Sequence, residues 1–254
     1  MLKNKTILIT GASSGIGEAC AEQFAKAGAT LILCARRKEL IENLAEKLKT
    51  TFNTEIHVLK VDVRDYTDIK KQLAALPEKF KQIDILLNNA GLAAGSEAIH
   101  EANVQDWEAM IDTNVKGLLY MTREILPTMI AKNSGHIINI GSIAGRSLYP
   151  TGVVYCATKH AVKALSEGLR MDLFGTKIRV SEVSPGAVET NFSVVRFKGD
   201  QKKADAIYEG FDPLTAHDIA DAVLYCATRP PHVNVSDMLV MPTAQAAIRM
   251  IARE

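Results

Sequence analysis

Apolar residues recur along this chain in two alternating rhythms. Short runs rich in Ile, Leu and Val appear as TILIT (6–10), TLILCA (30–35), EIHVLKVDV (55–63), IDILLNNAG (83–91), HIINIGS (136–142), KIRVSEVSPG (177–186) and DMLVMP (237–242). Each has the length and composition of a strand. Between them lie longer, charged stretches with apolar positions at helical spacing. One helix is predicted over about 16–27, stopped by Gly28, and the next carries Leu40, Leu44 and Leu48 as a stripe at i, i+4, i+8. Strands this apolar must be covered on both faces, so the alternation predicts a doubly wound α/β sheet of parallel strands joined by right-handed crossovers. No repeat, low-complexity segment or Pro/Gly linker divides the 254 residues, which predicts a single domain, 1–254. Residues 92–102 read as a loop after the fourth strand. Residues 187–213, with Gly-Asp and Phe-Asp-Pro breaks and mixed charge, read as a mobile flap over the strand ends.

Composition mainly excludes. Thirty basic and 29 acidic side chains leave a formal charge of +1, which gives no global field for nucleic acid or an anionic membrane. The segment MLKNKTILIT lacks the apolar core and cleavage site of a signal peptide, and no apolar run approaches the length that spans a bilayer. Cys20, Cys34, Cys156 and Cys226 are scattered without a C-x-x-C, so they read as small buried hydrophobes in a reducing cytoplasm. The six histidines form no metal-spaced cluster, and no metal site is expected.

Chemistry enters at the strand ends. TGASSGIG, residues 10–17, leaves the first strand and opens the first helix. In such a turn Gly11, Gly15 and Gly17 let backbone approach a pyrophosphate, while Ala12, Ser13, Ser14 and Ile16 complete a helix N-terminus rich in free N–H groups. The spacing is G-x-x-x-G-x-G rather than G-x-G-x-x-G, and no Lys-Ser/Thr follows to make a P-loop. At the end of the second strand, where an NAD site carries an acidic residue, the chain reads Ala35-Arg36-Arg37. Two guanidinium groups suit a 2′-phosphate, which predicts NADP in preference to NAD. Asp62 and Val63 end the third strand, where they can read an adenine edge. Asn89, Ala90 and Gly91 end the fourth, beside the switch point where ligands bind.

The stretch YCATK sets Lys159 one helical turn after Tyr155. A phenol ordinarily holds its proton to about pH 10. A neighbouring ammonium stabilises the phenolate, so Tyr155 is expected to exchange a proton with a substrate oxygen near neutral pH. Ser142, at the end of the fifth strand, can hydrogen-bond the same oxygen and orient it. A scaffold that merely senses NADP(H) needs the phosphate turn but no such proton donor.

TGASSGIG, NNAG, Asn114 in DTNVKG, Ser142, YCATK and SPG together, in this order across nearly the whole chain, resemble the motif set of the short-chain dehydrogenases/reductases. The resemblance implies a Rossmann-type, seven-stranded parallel sheet and NAD(P)-dependent interconversion of alcohols and carbonyls. It makes Tyr155 the general acid/base, has Lys159 bind the nicotinamide ribose, and has Asn114 anchor a water of a proton relay. It places Pro185, Gly186, Val188 and Thr190 along the nicotinamide carboxamide. A narrower likeness, carried by ALPEKFKQIDILLNNAGLAAG, FSVVRFKGD and HVNVSDMLVMP, is to NADP-dependent 3-hydroxy acid dehydrogenases, described also as serine or L-allo-threonine dehydrogenases and malonic semialdehyde reductases. That group implies small β-hydroxy acid substrates and a homotetramer, with sulfoacetaldehyde reductases close by. A small anionic substrate needs a cation. Arg146, four residues beyond Ser142, and Arg196, in the flap, are the candidates, and Arg196 is preferred because it would couple substrate arrival to closure.

Overall fold

Successive strand residues point to opposite faces, so strands that are apolar at every position build two cores. The computed structural model, which describes residues 2–254, shows both. Strands β1 (Thr6–Thr10), β2 (Thr30–Ala35), β4 (Ile85–Asn88) and β5 (Gly135–Ile140) send Ile7, Ile9, Leu31, Leu33, Leu87 and Ile138 into one core and Leu8, Ile32, Leu86 and Ile137 into the other. Helices α1 (Gly15–Lys26), α2 (Lys38–Phe52) and α9 (Ala216–Thr228) cover the first core. Helices α3 (Tyr66–Ala74), α5 (Leu118–Ala131) and α6 (Val153–Asp172) cover the second.

With β3 (Ile56–Lys60), β6 (Ile178–Pro185) and β7 (Asp237–Val240), the sheet has seven parallel strands in the order β3-β2-β1-β4-β5-β6-β7. The chain winds outward from β1 to β3 and then crosses back to β4. The carboxyl ends of β1 and β4 therefore flank the switch point, where the two windings part and leave a crevice.

Several elements differ from expectation. In α2 the buried stripe is Ile41, Leu44, Ala45 and Leu48, and Leu40 is exposed. Ile41 with Leu44 and Leu48 gives i, i+3, i+7, which keeps one face on the sheet, whereas Leu40 falls to its edge. Strand β3 ends at Lys60, and Val61–Val63 leave the ladder after one last bond from Val61 N to Ala35 O (3.2 Å). Between α4 (Val104–Ile111) and α5, residues Asp112–Gly117 form a π-helical turn, a widening common at functional positions. Within 187–213 lie two short helices, α7 (Phe192–Arg196) and α8 (Gln201–Asp205). A small antiparallel pair, β8 (Gln245–Ala247) with β9 (Met250–Ile251), follows β7. No described helix is long and apolar enough to cross a membrane.

Candidate active site

A cleft of about 800 Å³ opens at the carboxyl ends of the strands, within the size range of cofactor and ligand sites. Of the residues the sequence singles out, all but Ala12, Gly17, Asn114 and Arg146 line it. Its first wall is the β1–α1 turn. Gly11 adopts φ +66°, and a β-carbon there would lie 2.9 Å from Ala90 Cα. Gly17 is tighter, because a β-carbon would meet Gly11 O at 2.4 Å. Both positions therefore require glycine. Asn89 stitches this turn to the end of β4, its Nδ2 donating to Thr10 O (2.9 Å) and Gly11 O (3.2 Å). Thr10 Oγ1 accepts in return from Asn89 N and Ala90 N, each at 3.0 Å. The N-cap Ser14 makes no side-chain capping bond, so the first N–H groups of α1 remain donors toward the cleft. Ala12 lies behind this wall, fully buried, with its N–H on Cys34 O (3.2 Å).

Arg37 folds back onto the turn. Its Nη2 donates to Ser13 Oγ (2.9 Å) and Ser14 Oγ (3.0 Å), which poises the guanidinium beside the helix N-terminus. Asp62 is held by Arg64 through contacts of 2.6 to 3.0 Å. Burial opposes the Asp62 charge, but the Arg64 hydrogen bonds outweigh it and hold the carboxyl below its usual range.

The second wall carries the reactive groups. Ser142 follows β5 in extended backbone, its Oγ accepting from Ala144 N (3.1 Å). Tyr155 and Lys159 share one face of α6, with Lys159 Nζ 5.9 Å from the Tyr155 ring centre and donating to Ile140 O (2.8 Å). Asn114, in the π turn, sits behind this pair. It accepts from Leu92 N (2.9 Å) and donates to Leu92 O (2.8 Å) and to Thr158 Oγ1 (3.0 Å), so it ties the loop after β4 to α6.

Residues 5–201 of the chain match the family model of the short chain dehydrogenases. The chain belongs to that family. The NADP-dependent 3-hydroxy acid dehydrogenase of Schizosaccharomyces pombe is 46% identical to it over 254 residues, covering 100% of this chain and 98% of the relative. A sulfoacetaldehyde reductase of Chromohalobacter salexigens is 48% identical over 241 residues, 94% of each chain. The closed form of a serine dehydrogenase complexed with NADP+ superposes with a TM-score of 0.92 at 46% identity, covering 98% of this chain and 99% of that one.

In this short chain dehydrogenase two expectations need correction. Arg146 does not reach the cleft. It pairs with Asp237 on β7, which engages its charge within the protein. Nor does the Lys159 ammonium touch the phenol. It is bound to the Ile140 carbonyl, and burial pushes the Tyr155 phenol well above its ordinary range, with a Ser142 hydrogen bond pulling the other way. Burial also lowers Lys159, to about 8, against the opposing charge of Glu182. Desolvation dominates both groups because each charged form loses water without a directly paired opposite charge.

Arg196 does face the cleft. Its Cζ lies 5.3 Å from the Tyr149 ring centre, and its Nε reaches Gly95 O at 3.4 Å. The sequence reading passed over Tyr149, Phe192, Arg249 and Arg253, which line the same end of the cleft. The Phe192 ring stands 5.7 Å from that of Tyr155, and Arg249 Cζ lies 5.5 Å from the Tyr149 ring centre. The C-terminal residues show no nucleotide or acid-base motif. Their only signal is two arginines in a tail that is otherwise apolar up to its last residue, AAIRMIARE.

Proposed function

We propose that this dehydrogenase is an NADP-dependent oxidoreductase that interconverts small 3-hydroxy acids, of the serine, allo-threonine and 3-hydroxypropionate type, with their 3-oxo or semialdehyde forms. One observation carries the reading: a proton-transferring phenol, Tyr155, and a guanidinium, Arg196, face the same cleft, and the Arg196 charge is felt at the phenol. A substrate with a hydroxyl or carbonyl and an acid group a few bonds apart matches that pair. The names of the two relatives and of the serine dehydrogenase support it.

The residues fit the dinucleotide. The close-packed glycines leave a cradle that a β-carbon would fill, and no carboxylate stands where a 2′-phosphate would lie. The α1 N-terminus and Arg37, with Arg36 beside it, hold phosphates. Asp62 and Val63 take the adenine end. Asn89, Ala90, Gly91, Pro185, Gly186, Val188 and Thr190 would line the nicotinamide end, and Lys159 would hold its ribose. When bound, NADP supplies or accepts the hydride and, oxidised, adds a positive charge near the phenol.

The remaining work falls to side chains. Ser142 holds the substrate oxygen facing Tyr155, which donates its proton in reduction and withdraws one in oxidation. Burial keeps the phenol protonated, the form that reduction needs. The Lys159 ammonium stabilises the charge that develops when the proton leaves, and Asn114, by fixing Leu92 and Thr158, orders the path behind it. Arg196 grips the acid group, and residues 187–213 close over it and exclude water.

The 48% identical sulfoacetaldehyde reductase favours a second reading, reduction of a small sulfonated aldehyde at the same arginine. A panel decides: NADPH oxidation is followed with malonic semialdehyde, sulfoacetaldehyde and a neutral ketone. Turnover of the first well above the others is expected. NADPH binding without turnover of any carbonyl compound would leave only a sensing role. The four cysteines are free and buried, which suits the reducing cytoplasm proposed for the enzyme. Assembly as a homotetramer is proposed from the likeness to its group and is checked by light scattering.

A further inference from the structure

Behind Ser142 lies a row of charges that the reaction leaves without a task. Glu182, in β6, has only 2% of its surface exposed. Its register partners are Asn139 in β5 and Asp237 in β7, so a carboxylate stands in the middle of the sheet, where an uncompensated charge is strongly destabilising. In-register neighbours on parallel strands share a face. For Glu182 and Asp237 this is the face covered by α5 and α6, since Val180, two residues earlier, belongs to that core. Glu182 Oε1 accepts from Ser184 Oγ at 2.7 Å. It also presses on the end of β5, where a β-carbon on Gly141 would lie 2.3 Å from the same oxygen. Lys159 reaches that strand end from α6, with Nζ on Ile140 O at 2.8 Å. Ammonium and carboxylate thus meet adjacent residues, Ile140 and Gly141.

The surrounding charges agree with this placement. Burial lowers the Lys159 ammonium, and the charge of Glu182 is what opposes the fall. Burial raises the Glu182 carboxyl, the Ser184 hydrogen bond lowers it, Asp237 adds to the rise, and Arg146 and Lys159 lower it further. Arg146, which is bonded to Asp237, has a buried Nε without a hydrogen-bond partner. Glu182 is thus flanked in register by Asp237, which Arg146 pairs, and feels the charges of Arg146 and Lys159. Asn139, facing Glu182 from β5, is uncharged.

We propose that Glu182 is a positioning residue for proton transfer: its carboxylate, held by the Ser184 hydroxyl, is the buried counter-charge of the Lys159 ammonium beside Tyr155, and Arg146 offsets the charge of the neighbouring Asp237. The proposal rests on the reading of Tyr155 and Lys159 as the proton-transferring pair.

The test follows Lys159 directly. Protein labelled with ¹³Cε-lysine is titrated by NMR through neutral to alkaline pH, with the Lys159 signal assigned by its loss in Lys159→Arg. The wild-type midpoint is expected at about 8. Glu182→Gln moves it down by about one pH unit, as loss of an adjacent opposite charge requires. In the reductive direction the alkaline limb of kcat/KM moves down with it, so the loss of activity shrinks as pH falls. Arg146→Gln gives a smaller shift in the same direction, and Glu182→Asp, which keeps the charge, returns the limb toward wild type. A folded Glu182→Gln protein with an unmoved Lys159 midpoint, or with activity lowered equally at every pH, overturns the proposal. If that variant does not fold, Arg146→Gln decides by the same midpoint. A wild-type enzyme that reduces no carbonyl compound overturns the functional reading instead, and the NMR midpoint distinguishes the two failures.

Discussion

The two halves of the cleft are made in different ways. On the nucleotide side, each wall is a turn that leaves one strand and enters the next helix, and backbone atoms set its shape. Gly11, Gly17 and Asn89 leave so little room that one added carbon collides with a carbonyl or an amide. On the substrate side, the walls are side chains delivered by segments far apart in sequence. Gly95 N bonds Arg196 O, and Arg249 reaches Pro150 O, each pair about a hundred residues apart. A backbone cradle recognises what is common to every dinucleotide. The proposed substrate side is a ring of arginines and aromatic groups around Tyr149, whose parts can vary without disturbing the cradle.

The sharpest way to break this comparison is at the seam the halves share. Tyr155→Phe removes the proton but keeps the ring, and kcat is expected to fall about 10²- to 10⁴-fold while NADPH binding, read by its fluorescence, is unchanged. A variant that kept wild-type turnover would end the proposed chemistry. Next in size, the Arg36→Ala, Arg37→Ala double variant removes the guanidinium groups beside the phosphate turn. The ratio of kcat/KM with NADP to that with NAD is expected to fall about a hundredfold, the loss of one or two charge-assisted hydrogen bonds. An unchanged ratio would mean that something else selects the cofactor. On the substrate side, Arg196→Ala is expected to raise KM about tenfold for a 3-hydroxy acid and to leave KM for a neutral alcohol as it was. Equal losses on both would remove the anion-binding role and blur the division between the halves.

That division also explains what could be read from the chain. The switch-point crevice, the turn at 10–17 and the strand-end residues at 62–63, 89–91 and 142 are each local: strand rhythm gives their place and glycine or polarity gives their task. Tyr155 and Lys159 stand out by helical spacing only in the company of the nucleotide turn and the strand-end Ser142. Arg146 misled because sequence distance from Ser142 says nothing about direction, and a partner 91 residues away, Asp237, decided where it points. Helical spacing brings an ammonium near the phenol but does not reveal that it donates its hydrogen bond to the Ile140 carbonyl, nor that burial opposes ionisation of the phenol. Tyr149, Arg249 and Arg253 were invisible for the same reason as Glu182: each matters through a neighbour that only the folded chain supplies.

The smallest expected effect probes the sheet under the substrate side. His136 opens β5, with Nε2 2.8 Å from Ser181 Oγ on β6. Burial, aided by the charge of Arg179, lowers its pKa to about 3, whereas in an unfolded chain it titrates near 6.5. Between those values the unfolded state binds a proton that the folded state refuses, so stability rises with pH through this window. The full contribution is present above about pH 6.5 and declines as pH falls toward 3, by roughly 1.4 kcal/mol per unit. At pH 5 the loss is about 2 kcal/mol, which lowers Tm by a few degrees in a chain of this size. His136→Asn keeps a hydrogen-bonding group at Ser181 and removes the titration, so its Tm should change less between pH 7 and pH 5 than that of wild type. No residue on β1 or β2 carries a comparable buried imidazole. Equal acid sensitivity in the two proteins would show that His136 is not the group through which low pH loosens this sheet.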